Sequence, residues 1–161
     1  GHYGDTVMRQ FLFDAWHQHL LDGLAQSADT RIAEIAQKAA KEVRYHVQRS
    51  AHLVVALGDG TALSRDRMQA SLEQLWPYTQ EWFESDRLDA ACAEQGLAPA
   101  APTLAAPWRA SVEAVLARAT LQVPAYVGHQ RGGSQGVHSE HLGHLLAELQ
   151  FVQRAYPGAQ W

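Results

Sequence analysis

Apolar residues recur along this chain mainly at steps of three and four, the spacing of helices with one buried face. Over residues 5–26, Met8, Leu12, Trp16, Leu20 and Leu24 step by four, with Phe11 and Ala15 beside them. Asp5 or Thr6 is placed to cap that helix. A longer stripe over residues 29–57 runs through Ile32, Ile35, Ala36, Ala39, Val43, Val47 and Val54. Asp29 or Thr30 is its predicted N-cap, and Gly58 stands where a left-handed residue would end it. At ~1.5 Å per residue that helix spans roughly 40 Å, a length suited to a bundle.

Asp59-Gly60-Thr61 reads as a turn, and a third helix is predicted over residues 63–85, through Met68, Leu72, Leu75, Thr79, Trp82 and Phe83. Pro77 lies inside it and predicts a kink, because proline removes one hydrogen bond and crowds the preceding turn. A short helix is expected over residues 88–95, then a linker over 96–102. Thr103 opens a helix over 103–120 with Val112, Val115 and Leu116 inward. Pro124 and the glycine-rich run 131–136 form an irregular loop. Ser139 caps a last helix whose stripe is Leu142, Leu145, Leu146, Leu149 and Val152, ended by Pro157-Gly158. No strand alternation and no internal repeat is present. The pattern predicts one all-α domain over residues 1–161, an up-and-down helix bundle.

Composition narrows the function classes. A length of 161 residues fits one domain with a sizeable core, and 47% of the residues are hydrophobic. The net charge is −4, so no strong field points to nucleic acid or to a membrane. Arginine outnumbers lysine eleven to two, the lysines being Lys38 and Lys41. No apolar run approaches the ~18 residues of a membrane helix, and no signal-peptide pattern opens the chain. Cys92 is the sole cysteine, so no internal disulfide can form. A cytoplasmic location is the expectation, with Cys92 inert. Gly1-His2 reads as an expression remnant or a cleavage product.

The polar residues of interest sit on apolar helices. Asp14 and His17 are three apart, Glu42 and His46 four apart, and Arg49 follows one turn later. Ferritin-like di-metal sites use inward carboxylates plus Glu-x-x-His pairs on bundle helices. Here the position three after Glu42 is Tyr45, and the histidine has slipped by one residue, about 100° around a helix. Arg49 adds a permanent cation that repels metal and replaces its charge. The expectation is therefore a degenerate, metal-free site in which Asp14, His17, Glu42, His46 and Arg49 form a buried ionic and hydrogen-bonded network. His138, Glu140, His141 and His144 make a weaker zinc-like cluster, read as a helix start with histidines that cap or face a partner. The run 131–136 follows no strand and lacks a Gly-Lys-Ser/Thr ending, so it reads as a connector and not a phosphate loop. No Ser/His/Asp or Cys/His set has motif support.

Four stretches in order resemble one family: Arg9-Gln10-Phe11-Leu12-Phe13-Asp14-Ala15-Trp16-His17, Lys41-Glu42-Val43-Arg44-Tyr45-His46, Leu75-Trp76-Pro77-Tyr78-Thr79, and a tail. The tail runs His138-Ser139-Glu140-His141-Leu142-Gly143, then Leu145-Leu146-Ala147-Glu148-Leu149-Gln150, then Pro157-Gly158-Ala159-Gln160-Trp161. Together they resemble the family of structural, non-catalytic subunits of the bacterial phenylacetyl-CoA epoxidase (ring-1,2-phenylacetyl-CoA oxygenase) over essentially the whole chain. The resemblance implies a ferritin-like fold that has lost its di-iron ligands. It implies no cofactor in this chain and pairing with a homologous catalytic subunit that binds iron and the CoA thioester. That complex epoxidises the aromatic ring with oxygen, using electrons from an NADPH-dependent reductase. Family members carry a further helical segment before the point where this chain begins, so the chain reads as a C-terminal portion lacking some bundle helices. Apolar stripes at Trp16 and Leu20, at Trp76 and Trp82, and at Leu142 to Val152 are then expected to meet the catalytic subunit or a second copy. The rival classes are a stand-alone di-iron or di-manganese carboxylate enzyme and a ferritin-like storage or binding protein.

Overall fold

The computed structural model describes residues 1–125 and 128–160, and the secondary structure among them is helical throughout. The helices are α1 (Tyr3–Leu24), α2 (Thr30–Gly58), α3 (Ala62–Leu75), α4 (Arg87–Glu94), α5 (Ala105–Arg118), α6 (Glu140–Leu149) and α7 (Phe151–Ala155). They fall into two compact units, one ending at His129 and the other beginning at Gln130. Tyr126 and Val127, within the predicted irregular loop, lie outside the described residues. No helix among the described residues is long and apolar enough to cross a membrane.

In the first unit α1 is the central element, packing on α2, α3 and α5. Its stripe of Val7, Met8, Phe11, Leu12 and Ala15 meets Val54 of α2, Met68 and Leu72 of α3, and Trp108, Val112 and Leu116 of α5. A smaller cluster joins Leu21 to Ala36, Ala40 and Val43, where the alanines let α1 and α2 lie close. The short connection at residues 25–29 makes these two helices antiparallel neighbours.

The helix ends differ from expectation where local chemistry overrides periodicity. Asp29 does cap α2, accepting from the backbone N–H of Arg31 at 2.8 Å and of Ile32 at 3.2 Å. The first helix begins earlier than predicted, with His2 as N-cap and Asp5 inside the first turn. Asp5 accepts from the His2 backbone N–H at 2.8 Å and from the Ser71 hydroxyl at 2.7 Å. Those two bonds, the backbone one foremost, hold its carboxyl below the usual carboxylate range. Gly58 does not end α2 in a left-handed turn. It is the buried last residue of the helix, and Asp59 follows it as C-cap.

Pro77 does more than kink the third helix. The helix ends at Leu75, and the chain continues as 3₁₀ turns over Trp76–Tyr78 and Gln80–Phe83. With no N–H at position 77 the α-ladder loses one bond, and tighter 3₁₀ bonding takes over. The buried Thr79 hydroxyl donates to the Trp76 carbonyl at 2.8 Å and secures that switch. The resulting bend lays Trp76 and Phe83 against Trp108, with ring centroids 5.4 Å and 5.1 Å away.

In the second unit, Gly132 and Gly136 take left-handed backbone conformations (φ +100° and +84°) around a 3₁₀ turn. The Val137 N–H closes that loop on the Gly132 carbonyl at 2.8 Å. Ser139 stands at the N-cap of α6 as expected, although its side chain makes no cap bond. The stripe expected to meet a partner is uncovered in this chain: Leu145, Leu146, Leu149 and Val152 are all exposed, and Leu142 is half-buried.

Candidate functional site

The polar centre of the first unit is Asp14, whose side chain faces α2 and is 1% exposed. Its two oxygens are held by neutral donors. Gln10, one turn earlier on α1, donates through Nε2 to Oδ1 at 2.6 Å. The Ser50 hydroxyl of α2 donates to Oδ2 at 2.9 Å and also lies 2.8 Å from the His46 carbonyl. Its single proton serves the carboxylate better, since bonds to ionised acceptors are the stronger kind.

These contacts replace the expected ionic network. Glu42, His46 and Arg49 are all exposed, and no ion pair joins Asp14, Glu42 and Arg49 among the described residues. The reason is the rotation of α2. Its buried line is Ala36, Ala40, Val43, Ser50 and Val54. Glu42 and Arg49 each precede a member of that line by one residue, about 100° around the helix, which turns them outward. Arg49→Leu is accordingly expected to shift stability by no more than ~0.5 kcal/mol, the usual range for an exposed position. A urea-unfolding midpoint for the variant checks this, and a loss of several kcal/mol would restore the buried network.

His17 shares the helix with Asp14 but is spent differently. Its ring packs against Phe13 (centroids 5.3 Å apart) and stacks on Trp16 (6.5 Å). Asp14, His46 and Arg49, by contrast, come to one place. They line a groove of about 400 Å³ between α1 and α2, with Gln10, Ser50, Val7 and Leu53 also in its walls. Glu42 is not part of it.

That donor set suits a two-metal carboxylate site poorly. Such a site needs several carboxylates projecting inward with Glu-x-x-His pairs. Here the one carboxylate in the groove already accepts from two side chains. No three His, Cys, Asp or Glu side chains among the described residues come together in a metal-holding group. His138, His141 and His144 are exposed along the start of α6, and Cys92 is a half-buried free thiol. The residues missed by sequence reasoning are Gln10 and Ser50. Ser50 had a signal: it follows Val43 by two turns, a small hydroxyl on the buried line of α2.

A family model described as phenylacetic acid catabolic protein matches residues 1–161. The chain is 44% identical over 161 residues to the C subunit of the Escherichia coli 1,2-phenylacetyl-CoA epoxidase. The match covers 100% of this chain and 65% of that curated relative, so the chain spans somewhat less than two thirds of the relative's length. An all-helical fold built around α1, with the matching family pattern running from end to end, establishes that this chain belongs to the phenylacetic acid catabolic protein family.

Proposed function

We propose that this chain belongs to a cytoplasmic structural subunit of a phenylacetyl-CoA epoxidase, a metal-free scaffold supporting a homologous di-iron catalytic subunit. The reading rests on the state of Asp14. The inward carboxylate that a ferritin-like metal site would use is taken up by Gln10 and Ser50, while Glu42 lies on the exposed side of α2. The chain keeps a helical bundle, and among the described residues no set of ligands converges on one point. The chemistry of ring epoxidation then falls to iron in the partner, and this chain contributes shape and surface.

The surface of α6 and α7 supports a partnered role. Leu145, Leu149 and Phe151 are 55%, 70% and 66% exposed. Contiguous exposed apolar residues of this kind mark interaction sites more often than free surface. The occupant on this reading is the catalytic subunit. Obligate interfaces of that type run above ~2,000 Å² and are rich in apolar and aromatic side chains.

Co-expression with the catalytic subunit, followed by purification on a tag carried by this chain and iron analysis of each chain, tests the proposal. The expected result is a stable complex with iron on the partner and none on this chain. Leu145→Glu with Leu149→Glu should weaken the complex about 100-fold or more, since two buried charges each cost several kcal/mol at an apolar contact. Iron near one per copy of the isolated chain, lost on Glu42→Ala, would favour a stand-alone di-metal protein. A clean monomer indifferent to the catalytic subunit would remove the scaffold role.

A further inference from the structure

Asp14 is buried without a counter-ion. Its side chain is 1% exposed, both of its hydrogen-bond donors are neutral, and no Lys, Arg or His pairs with it among the described residues. Charges taken out of water are normally paired, because an isolated one loses its hydration for nothing in return. Yet Asp14 is not sealed in the core. It lines the groove between α1 and α2, which is open to solvent and about 400 Å³ in volume. Clefts of roughly 300–1,000 Å³ accept small molecules or inserted side chains.

We propose that this groove receives an organic cation, a guanidinium or ammonium group on an apolar stem, with Asp14 as its counter-ion. Gln10 and Ser50 fix the carboxylate from the sides and take one acceptor position on each oxygen, leaving a lone pair on each. A guanidinium can address both remaining positions at once. The aliphatic stem then lies on Val7 and Leu53, the apolar walls of the groove. Tyr3 also faces the groove and is exposed, and the basic groups facing it are His46 and Arg49, both exposed. Their charge is spread into water and screened by salt, whereas that of Asp14 acts from a desolvated position. The buried charge therefore sets the sign of the ligand, and Arg49 competes with it only weakly.

This inference stands apart from the scaffold reading, since a cation site on α1 and α2 needs neither iron nor a catalytic subunit. Two sources share the chemistry: a free alkyl-guanidine or alkyl-amine, or an Arg or Lys side chain presented by a helix laid along the groove. The walls come from residues three and four apart on both helices, the spacing that seats a third helix ridge.

The test titrates the whole chain with agmatine, with butylurea as a neutral counterpart, and with an alanine-rich helical peptide bearing one central arginine. The readouts are calorimetry and the NMR shifts of the Gln10 side-chain amide. Saturable binding of agmatine or of the peptide, with none of butylurea, is expected. Agmatine alone marks a small-molecule site, and the peptide alone marks a seat for a protein side chain. Asp14→Asn should weaken binding about tenfold or more, while Arg49→Gln leaves it unchanged or tightens it. Failure of both cations at millimolar concentration overturns the proposal. So does equal binding of butylurea, a result that needs no variant to fold. Loss of agmatine binding on Arg49→Gln, with binding kept on Asp14→Asn, would mean that Asp14 is not the counter-ion, and this too would overturn it.

Discussion

Trp108→Ala is expected to destabilise the first unit by about 3–5 kcal/mol, the range for deleting a fully buried aromatic side chain. Trp108 is 2% exposed and sits where three segments meet. Its indole N–H donates to the Leu12 carbonyl at 3.1 Å, tying α5 to α1. Its ring packs on Trp76 and Phe83 and meets Trp82 edge-on at 6.2 Å. Alanine removes the transfer energy of the ring and leaves a cavity that the 3₁₀ segment after Pro77 can only partly fill, because proline and the Thr79 bond hold its path. Trp108→Phe keeps most of the contact area and loses the N–H, so it should cost less, on the order of 1–2 kcal/mol. Urea unfolding followed by far-ultraviolet circular dichroism measures both. A loss below about 1 kcal/mol for the alanine variant would show that Trp108 does not hold α1, α5 and the 3₁₀ segment together.

The helices were legible because their signal is local. Steps of four from Met8 to Leu20, and the Asp29 cap, depend only on neighbouring residues, and the structure follows them. What the chain alone could not show is which few degrees of a helix face its neighbour. Glu42, His46 and Arg49 flank the buried line of α2 on one side, and packing against Leu21 and Val7 sets the rotation that turns them to solvent. The site was therefore half readable. Asp14 was found, and its true partners were replaced by more conspicuous charged residues. Pro77 was recognised as a breaker, but whether proline bends or ends a helix is decided by what lies beside it, here the Trp76 and Trp108 rings. The stripe of α6 had the period of a helix, and that period shows only that a face is apolar, not what covers it.

Gly58 shows the same limit in one residue, and replacing it should have the second large effect. Glycine to alanine inside a helix ordinarily gains about 1 kcal/mol. At Gly58 the gain is overridden. An added Cβ would fall on the Ala119 carbonyl oxygen and lie 2.9 Å from the Ala119 Cβ, and Ala119 itself is 0% exposed. The obstacle is backbone, so it cannot rotate away. It is also locked: α5 ends there with the Leu121 N–H on the Leu116 carbonyl at 3.0 Å and the Thr120 N–H on the Ala117 carbonyl at 3.2 Å. That closing pattern puts Thr120 at φ +56°, a position usually given to glycine. The threonine has its own reason to be there, since its hydroxyl donates to the Gly58 carbonyl at 3.1 Å and joins the two helix ends. A methyl group at position 58 would push these ends apart, loosening that bond and the packing of Leu116 and Leu121. Overpacking of this kind costs about 1–3 kcal/mol, and a backbone obstacle puts Gly58→Ala toward the upper end. Gly58→Val should be worse, since its branched side chain fills the same space. Gly143→Ala is the control: it too lies inside a helix, but nothing stands within 4 Å of its added Cβ, so slower amide exchange in α6 is expected. If Gly58→Ala and Gly143→Ala both stabilise their helices, the close crossing of α2 and α5 is not as tight as the structure places it.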